Sequence, residues 1–164
     1  MRDENYRATH YNPDHDGGIR TAVRVRFEDP AAAKAKYGPI ASWDTSGVTN
    51  MSYLFFDLNL DFNEDISRWN VSNVVNMNLM FFGATSFTGD LSRWDVGQVE
   101  SMDGMFDGAT SFTGDLSCWE VGQVQFMIYM FRGATSFTHQ LGGAWATSTA
   151  TKDEMFENSP GTIA

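Results

Sequence analysis

The sequence predicts an α/β repeat solenoid of about four coils, each with one short strand and one short helix. Two observations predict this fold. Five tryptophans recur at nearly constant spacing, and the residues between them repeat in step. A unit this short cannot bury its own apolar face, so the units are expected to stack. Atypical sequence on either side of the repeats predicts a cap at both ends.

The repeat unit is about 25 residues long and is defined by several columns of similar residues. Successive tryptophans lie 26, 25, 25 and 26 residues apart, and a valine and a methionine follow each of the first four after five and eight residues. A Leu-Phe or Met-Phe pair follows at eleven and twelve. The columns are Trp43, Trp69, Trp94, Trp119 and Trp145; Val48, Val74, Val99 and Val124; Met51, Met77, Met102 and Met127; and Phe55, Phe81, Phe106 and Phe131.

Each unit reads as a short helix followed by a short extended segment. Valine, methionine, methionine and phenylalanine at i, i+3, i+6 and i+7 share one helical face. The helices are expected to begin at small residues three after each tryptophan and to end at a glycine. These positions are Ser46, Ser72, Gly97, Gly122 and Ser148 for the starts, and Gly83, Gly108 and Gly133 for the ends. The strand is expected in segments such as residues 90–96.

The chain is expected to divide into four parts. Residues 1–17 form a polar N-terminal segment, and residues 18–40 form a helical cap of one or two helices, the second beginning at Pro30. Residues 41–145 hold the four tandem repeats, with a bulge at 56–62. Residues 146–164 form a degenerate repeat and C-terminal cap, in which 148–158 is expected to be a last helix.

The composition limits the classes of partner. The 164 residues carry 21 acidic and 11 basic side chains, a formal charge of −10, which repels nucleic acid phosphates and anionic lipid. We therefore expect no nucleic acid partner. No segment approaches the 18 or so apolar residues of a membrane helix, so no direct membrane span is expected, and the compartment is left unassigned. Cys118 is the single cysteine, so no disulfide framework is possible within the chain.

No group of residues points to catalysis, a cofactor or a metal. The alternating carboxylates and amides from Asp57 to Asp65 resemble a calcium loop, but the sixth position is not glycine and the twelfth is Arg68 instead of glutamate. Asp65 instead falls in one column with Asp90 and Asp115, which predicts a turn-capping role.

The remaining titratable residues do not form a motif either. The histidines and aspartates of the N-terminal segment, His10, His15, Asp14 and Asp16, have no spacing that fixes a site. Cys118 occupies a column held by arginine in other units, so its thiol is expected to be exposed. The chain is therefore predicted not to be an enzyme and to need no cofactor.

The tryptophan and methionine columns are expected to form the core, because identical residues stack efficiently inside a solenoid. The alternative for the tryptophans is a row of exposed rings that bind sugars. Three Ser-x-Thr pairs would form a hydroxyl ladder, which leaves ice binding as a further alternative to local hydrogen bonding. These pairs are Ser86 with Thr88, Ser111 with Thr113, and Ser136 with Thr138.

The fourth unit departs from the others at positions that should face outward. Where the second and third units have Asn76, Asn78, Leu79 and Ser101, Asp103, Gly104, the fourth has three large apolar residues. We predict that these form a partner-binding patch, extended by the residues in the Tyr129 column; the alternative is that the C-terminal cap folds over them. The predicted patch consists of Phe126, Ile128, Tyr129, Tyr53 and Leu79.

The pattern Trp-Asp-x-Ser-x-Val-x-x-Met, then Met-Phe, then Phe-x-x-Asp-Leu-Ser resembles the BspA-like branch of the leucine-rich-repeat superfamily. It is most similar to the repeats of unassigned function in mycoplasma surface lipoproteins and marine microalgae. The resemblance covers residues 37–145 and implies a leucine-rich-repeat-like solenoid without catalytic activity. We therefore predict a non-catalytic protein-interaction or scaffold module that serves as a peripheral subunit of a larger assembly, with another protein as partner. The alternative is a cell-surface adhesion module that binds glycan.

Overall fold

The computed structural model describes residues 17–56 and 61–164. Within them, regular secondary structure is confined to the two ends of the chain. The elements in order are helices α1 (Gly17–Glu28) and α2 (Pro30–Tyr37), a 3-10 helix (Ile40–Ser42), strand β1 (Gln140–Leu141), helix α3 (Ala144–Thr147) and strand β2 (Thr162–Ile163). Pro30 begins α2, where its missing N–H costs no hydrogen bond, and the Asp29 carboxylate accepts from the Ala32 N–H at 2.9 Å.

The repeat units are joined by backbone hydrogen bonds that run in parallel from one unit to the next. We number the units one to five by their tryptophans, Trp43 to Trp145. Between units three and four, the N–H groups of Met102, Gly104 and Phe106 donate to the carbonyls of Phe126, Ile128 and Met130 at 2.8–2.9 Å. The same register recurs at every junction as parallel bridges, Asn50 to Asn76, Asn76 to Ser101, Ser101 to Phe126 and Phe126 to Thr151.

The helix predicted within each unit is not formed in the described residues. The segment after each valine consists of turns, in which Met105 N–H donates to the Met102 carbonyl three residues earlier, while alternate N–H groups donate to the next unit. The tenth residue after each of the first four tryptophans also has a left-handed φ of 53–58°, which a right-handed helix excludes. A helix of this length is marginal alone, and bonds between units satisfy the same groups. The inward periodicity was correct, but its helical interpretation was wrong.

The predicted strand and helix caps also differ from the structure. Residues 90–96 contain a turn at 92–93 and no strand, and Trp94 N–H donates to the Leu91 carbonyl at 3.1 Å. The bridges lie in the segment expected to be helical. Ser46 is not a helix cap, because no helix follows it; its N–H donates to the Asp44 carboxylate at 3.0 Å. The turn-capping role predicted for the aspartate column is confirmed. Asp65, Asp90 and Asp115 each accept from the N–H two residues ahead.

Two columns of phenylalanine rings form the centre of the core. Consecutive rings of the Phe55 column lie 5.4–5.5 Å apart and within 17° of parallel. Each also stacks at 4.1–4.3 Å on a second ring of its own unit. The rings of this second column are Phe62, Phe87, Phe112 and Phe137. Gly89 and Gly114 pass so close to Phe87 and Phe112 that a Cβ there would lie 2.6–2.7 Å from ring atoms, so a larger residue would require the ring to shift.

The prediction that the tryptophan and methionine columns form the core is confirmed. Trp69, Trp94, Trp119 and Trp145 are at most 3% exposed, the methionines of units one to four are fully buried, and Trp43 at the N-terminal end is half-buried. Each buried indole N–H donates to a backbone carbonyl 28 or 29 residues earlier in the chain, at 2.9–3.2 Å. The tryptophan therefore fills space and fixes the register between neighbouring units.

Helix α1 lies against the first unit. Its residues Ile19, Ala22 and Val23 are buried in the core. The Arg20 guanidinium donates to the carbonyls of Asn50 and Ser52 at 3.2 and 2.7 Å. In later units these two carbonyl positions accept N–H groups from the preceding unit, so Arg20 provides the donors that a preceding unit would supply.

The C-terminal residues continue the stack, which corrects the helix predicted over 148–158. The helix in this region is α3, which precedes that segment. Thr151 instead pairs with Phe126, and Phe156 stacks on Phe131 at 5.4 Å. The N–H groups of unit four donate to carbonyls within residues 151–157, in the same way as at the earlier junctions. Strand β2 pairs in parallel with β1.

Some sequence-based predictions lie outside the described residues. These are the polar segment, including His10, Asp14, His15 and Asp16, and residues 57–60 of the predicted bulge and calcium-like loop. Among residues 17–56 and 61–164, no three His, Cys, Asp or Glu side chains are grouped to hold a metal ion. In the same residues, no helix is long and apolar enough to cross a membrane.

Replacing Trp119 by phenylalanine tests the role of the indole N–H. The change removes the buried hydrogen bond to the Leu91 carbonyl and leaves a small void, so Trp119→Phe is expected to lower the free energy of unfolding by about 2 kcal/mol. Urea denaturation measures this directly. The control is Cys118→Ser at the neighbouring exposed position, expected within about 0.5 kcal/mol of the parent protein. Equal stabilities for the two variants would show that the indole bond does not hold the register.

Candidate docking surface

Phe126 is the large apolar side chain most exposed among the described residues, at 44%. The other residues of its column are polar: Asn50, Asn76, Ser101 and Thr151. Its backbone is held on both sides, because its carbonyl accepts from Met102 N–H at 2.9 Å and it bridges to Thr151. The ring therefore projects from a fixed backbone position into solvent.

Ile128 ends a ladder of polar side chains that runs along the same face. The Asn78 side-chain oxygen accepts from the Asp103 N–H at 2.9 Å and from the Ser101 hydroxyl at 2.6 Å. The Asp103 carboxylate in turn accepts from the Ile128 N–H at 2.8 Å. Burial raises the pKa of Asp103, and the bond from Ile128 opposes that shift. The isoleucine side chain has no oxygen that could accept an N–H from the fifth unit. The row of hydrogen-bonded side chains therefore ends at the fourth unit, where apolar surface takes its place.

Tyr129 is half-buried beneath an arginine. The Arg132 guanidinium lies 4.1 Å from the centre of the Tyr129 ring, a cation–π contact, and its Nε donates to Asp107 at 3.1 Å. The hydrogen bond to Asp107 is the main cause of the raised pKa of Arg132. The ring is therefore held between its backbone and a paired guanidinium.

Tyr53 and Leu79 share the column and the left-handed backbone of Tyr129 but belong to a separate group. Leu79 leans over Gly104, where its Cδ2 lies 2.5 Å from the position that a Cβ would occupy. Gly104 contributes no side chain of its own, so the column is interrupted between Leu79 and Tyr129. The predicted five residues thus form two apolar groups, one on units one and two and one on unit four.

Two residues of the first group were missed by the sequence analysis. Phe56 lies 5.4 Å from Tyr53 and 5.0 Å from Phe82, and both phenylalanines are half-buried. Their column continues with Asp107 and Arg132. The comparison between units that identified Phe126 would also have found these rings, because charged residues replace them in the third and fourth units.

The C-terminal residues bind the backbone of unit four but do not enclose Phe126. Met127 and Tyr129 donate their N–H groups to Thr151 and Asp153 at 2.8 and 3.1 Å. These contacts lie along the backbone edge, and the Phe126 ring keeps its 44% exposure. Cys118 is exposed, as predicted.

The comparisons with known proteins give one family match. The family described as "Mycoplasma protein of unknown function, DUF285" matches residues 24–145, most of the chain. This confirms the resemblance to mycoplasma repeats of unknown function. None of the curated proteins and none of the solved structures compared with the chain matches it.

Asp103 provides a test of the polar ladder through pH. A raised pKa means that ionised Asp103 destabilises the folded chain, so its favourable contribution is present at low pH and lost as the pH rises through that pKa. Asp103→Asn keeps the acceptor for Ile128 and removes the charge, as Asn78 does one unit earlier. We expect the variant to be more stable than the parent near neutral pH, with the difference shrinking on acidification.

Urea denaturation of both proteins between about pH 4 and pH 7 measures that difference. The other carboxylates titrate in both proteins, so their contributions to the pH dependence cancel when the two free energies of unfolding are subtracted. They include four whose pKa values are lowered by hydrogen bonds from serines: Asp44, Asp65, Asp90 and Asp115. A difference that is constant with pH would rule out the proposed ionisation cost.

Proposed function

The chain belongs to the DUF285 family of mycoplasma proteins of unknown function, and we propose that it is a non-catalytic protein-interaction or scaffold module. We further propose that it is a repeat solenoid of the leucine-rich-repeat superfamily and serves as a peripheral subunit of a larger assembly. The observation that carries the proposal is the exposed ring of Phe126 beside Ile128 and Tyr129. Exposed apolar side chains grouped on one face are typical of protein-binding surfaces.

The rigidity of the backbone supports this function. The Phe126 carbonyl accepts from unit three, the Tyr129 N–H donates to unit five, and the Arg132 guanidinium lies over the Tyr129 ring. Side chains that are already ordered lose less conformational entropy when a partner binds. Aromatic anchors held in this way are efficient sources of binding energy.

The half-buried group formed by Tyr53, Phe56, Leu79 and Phe82 offers a second contact area on the units near α1. Its rings contact one another, and Asp107 and Arg132 continue the Phe56–Phe82 column as a charged pair. A partner that spans both groups would meet apolar surface at two places and a paired charge between them. Such a pattern of apolar anchors with polar surroundings is common at protein interfaces.

An adhesion module that binds glycan or ice is the rival function, and the side-chain burial gives it less support. The tryptophans of units two to five are at most 3% exposed, so their ring faces are closed to sugars. In the hydroxyl ladder, Thr88 is engaged with Asn63, which donates to its hydroxyl at 3.0 Å. Thermal hysteresis and glycan-array binding would identify this rival directly.

The proposal is tested by affinity capture from the source organism, read by crosslinking mass spectrometry. The test variant is Phe126→Ser combined with Tyr129→Gly, the residues that unit three uses in the same columns, so the backbone is expected to accept both. We expect the parent chain to capture a stoichiometric protein partner with crosslinks near unit four. The variant should lose that partner by tenfold or more, because two aromatic anchors are removed.

The matched control changes exposed residues away from the patch, Cys118→Ser with Glu120→Gln. It should capture the partner as the parent does, and circular dichroism should show that all three proteins are folded. A partner retained by the Phe126 and Tyr129 variant would exclude docking through unit four. The absence of any protein partner would contradict the proposed function.

A further inference from the structure

The two ends of the stack differ in how their backbone groups are satisfied. At the N-terminal end, the first unit presents carbonyls, and Arg20 of α1 donates to those of Asn50 and Ser52. At the C-terminal end, the last unit presents N–H groups. Backbone groups in a stack of this kind bond to the adjacent unit, and the described residues place no unit against the far side of unit five, which leaves a row of its N–H groups open.

The N–H groups without an adjacent unit are identified by comparison with the junction between units four and five. Between units four and five, four N–H groups donate to carbonyls of the next unit at 2.8–3.1 Å. The donors are Met127, Tyr129, Phe131 and Gly133, and the acceptors are Thr151, Asp153, Met155 and Glu157. In unit five the corresponding donors are Lys152, Glu154, Phe156 and Asn158. Within the described part of the chain, these four N–H groups have no acceptor.

The backbone of unit five has the conformation that the earlier units use for donation. Glu154 and Asn158 have φ of 51° and 57°, matching Tyr129 at 57° and Gly133 at 67°. A left-handed backbone is costly for residues other than glycine, so these two residues hold it because the stack imposes it. The four N–H groups are therefore oriented as the donors of a further junction.

Phe156 is the aromatic side chain that a segment bound to this edge would contact. It is the last ring of the Phe55 column, lies 5.4 Å from Phe131 on one side and is half-buried. In every earlier unit the other face of this ring stacks on the next phenylalanine. A segment placed on the edge would meet Phe156 best with an aromatic residue of its own.

The exposed carboxylates around this edge favour a basic segment. Asp153, Glu154 and Glu157 are exposed there, while the Lys152 ammonium is turned back onto the carbonyls of Ser148 and Ala150 at 2.6 and 3.4 Å. None of these three carboxylates forms a salt bridge among the described residues, although Arg132 interacts with Glu157 at longer range. The excess of negative charge favours lysine or arginine on whatever binds.

A second copy of the chain fits this edge poorly. Stacking it end to end would require its first unit to offer the carbonyls of Asn50 and Ser52, which Arg20 already occupies. Its α1 would have to leave, breaking also the ion pair of Arg26 with Glu64 at 2.6 Å. The copy would moreover carry the same net charge of −10.

We propose that the C-terminal edge, residues 151–158, binds an extended basic segment of another polypeptide. The segment runs parallel to the edge, accepts the N–H groups of Lys152, Glu154, Phe156 and Asn158 on alternate carbonyls, and places an aromatic ring on Phe156. This site is separate from the Phe126 patch, so either can exist without the other.

Synthetic peptides test the proposal. The probe carries the sequence of residues 125–133, flanked by lysines at both ends, because the carbonyls of this segment accept the N–H groups of unit three in the same arrangement. Comparison peptides have glutamates in place of the flanking lysines, or alanine in place of the phenylalanine at position 131. Binding is followed by fluorescence anisotropy, and NMR amide exchange of the full chain reports which N–H groups are covered.

We expect the four edge amides to exchange fast in the free chain and at least tenfold more slowly with the lysine-flanked peptide. Charge reversal by Asp153→Lys with Glu157→Lys should weaken binding about tenfold at low salt, because it turns attraction into repulsion. The matched control, Glu100→Lys with Glu120→Lys, reverses exposed charges elsewhere and should bind as the parent does. Phe126→Ser with Tyr129→Gly should also bind, which separates this site from the proposed docking patch.

Three results would overturn the proposal. Slow exchange of the four amides in the free monomer would mean that the chain itself covers the edge. Their protection in a dimer, detected by sedimentation equilibrium without peptide, would mean that a second copy does. Equal binding of lysine-flanked and glutamate-flanked peptides, or binding without protection of these amides, would exclude a basic segment paired to this edge.

Discussion

The hydrogen bonds between the backbones of successive units are the constraint on which the rest of the structure depends. Alternate N–H groups of one unit donate to carbonyls of the next, so each unit takes its shape from its neighbour and has little secondary structure of its own. This register places like side chains above one another, which produces the phenylalanine stacks and the rows of indole bonds. An isolated unit would have neither its hydrogen-bond partners nor a closed core.

The same constraint explains the surface. A column of residues lies at fixed spacing along the stack, so a substitution in one unit changes one position in a regular row. Gly104 interrupts the Tyr53–Leu79–Tyr129 column, and Phe126 interrupts a column of polar residues. The apolar groups are therefore defined by where the units differ, while the core is defined by where they agree.

The sequence predicted the repeat, its length and the buried columns, because repeated apolar residues report directly on a shared interior. It did not predict the conformation within a unit. Valine, methionine and phenylalanine at i, i+3, i+6 and i+7 satisfy a helix, but a chain of turns places the same residues inward. The deciding interactions join residues about 25 positions apart, such as Met102 with Phe126, and periodicity within one unit cannot reveal them. Phe126 was identified by comparing units, and Phe56 and Phe82 were missed because that comparison was not extended to their column.

Scalar couplings across hydrogen bonds, measured by NMR on the isotope-labelled chain, test the central claim most directly. They identify which carbonyl carbon each amide nitrogen is bonded to. We predict couplings from Met102 to Phe126, from Gly104 to Ile128 and from Phe106 to Met130. Couplings from these amides to carbonyls four residues earlier in the chain would instead establish a helix in each unit and contradict the ladder between units.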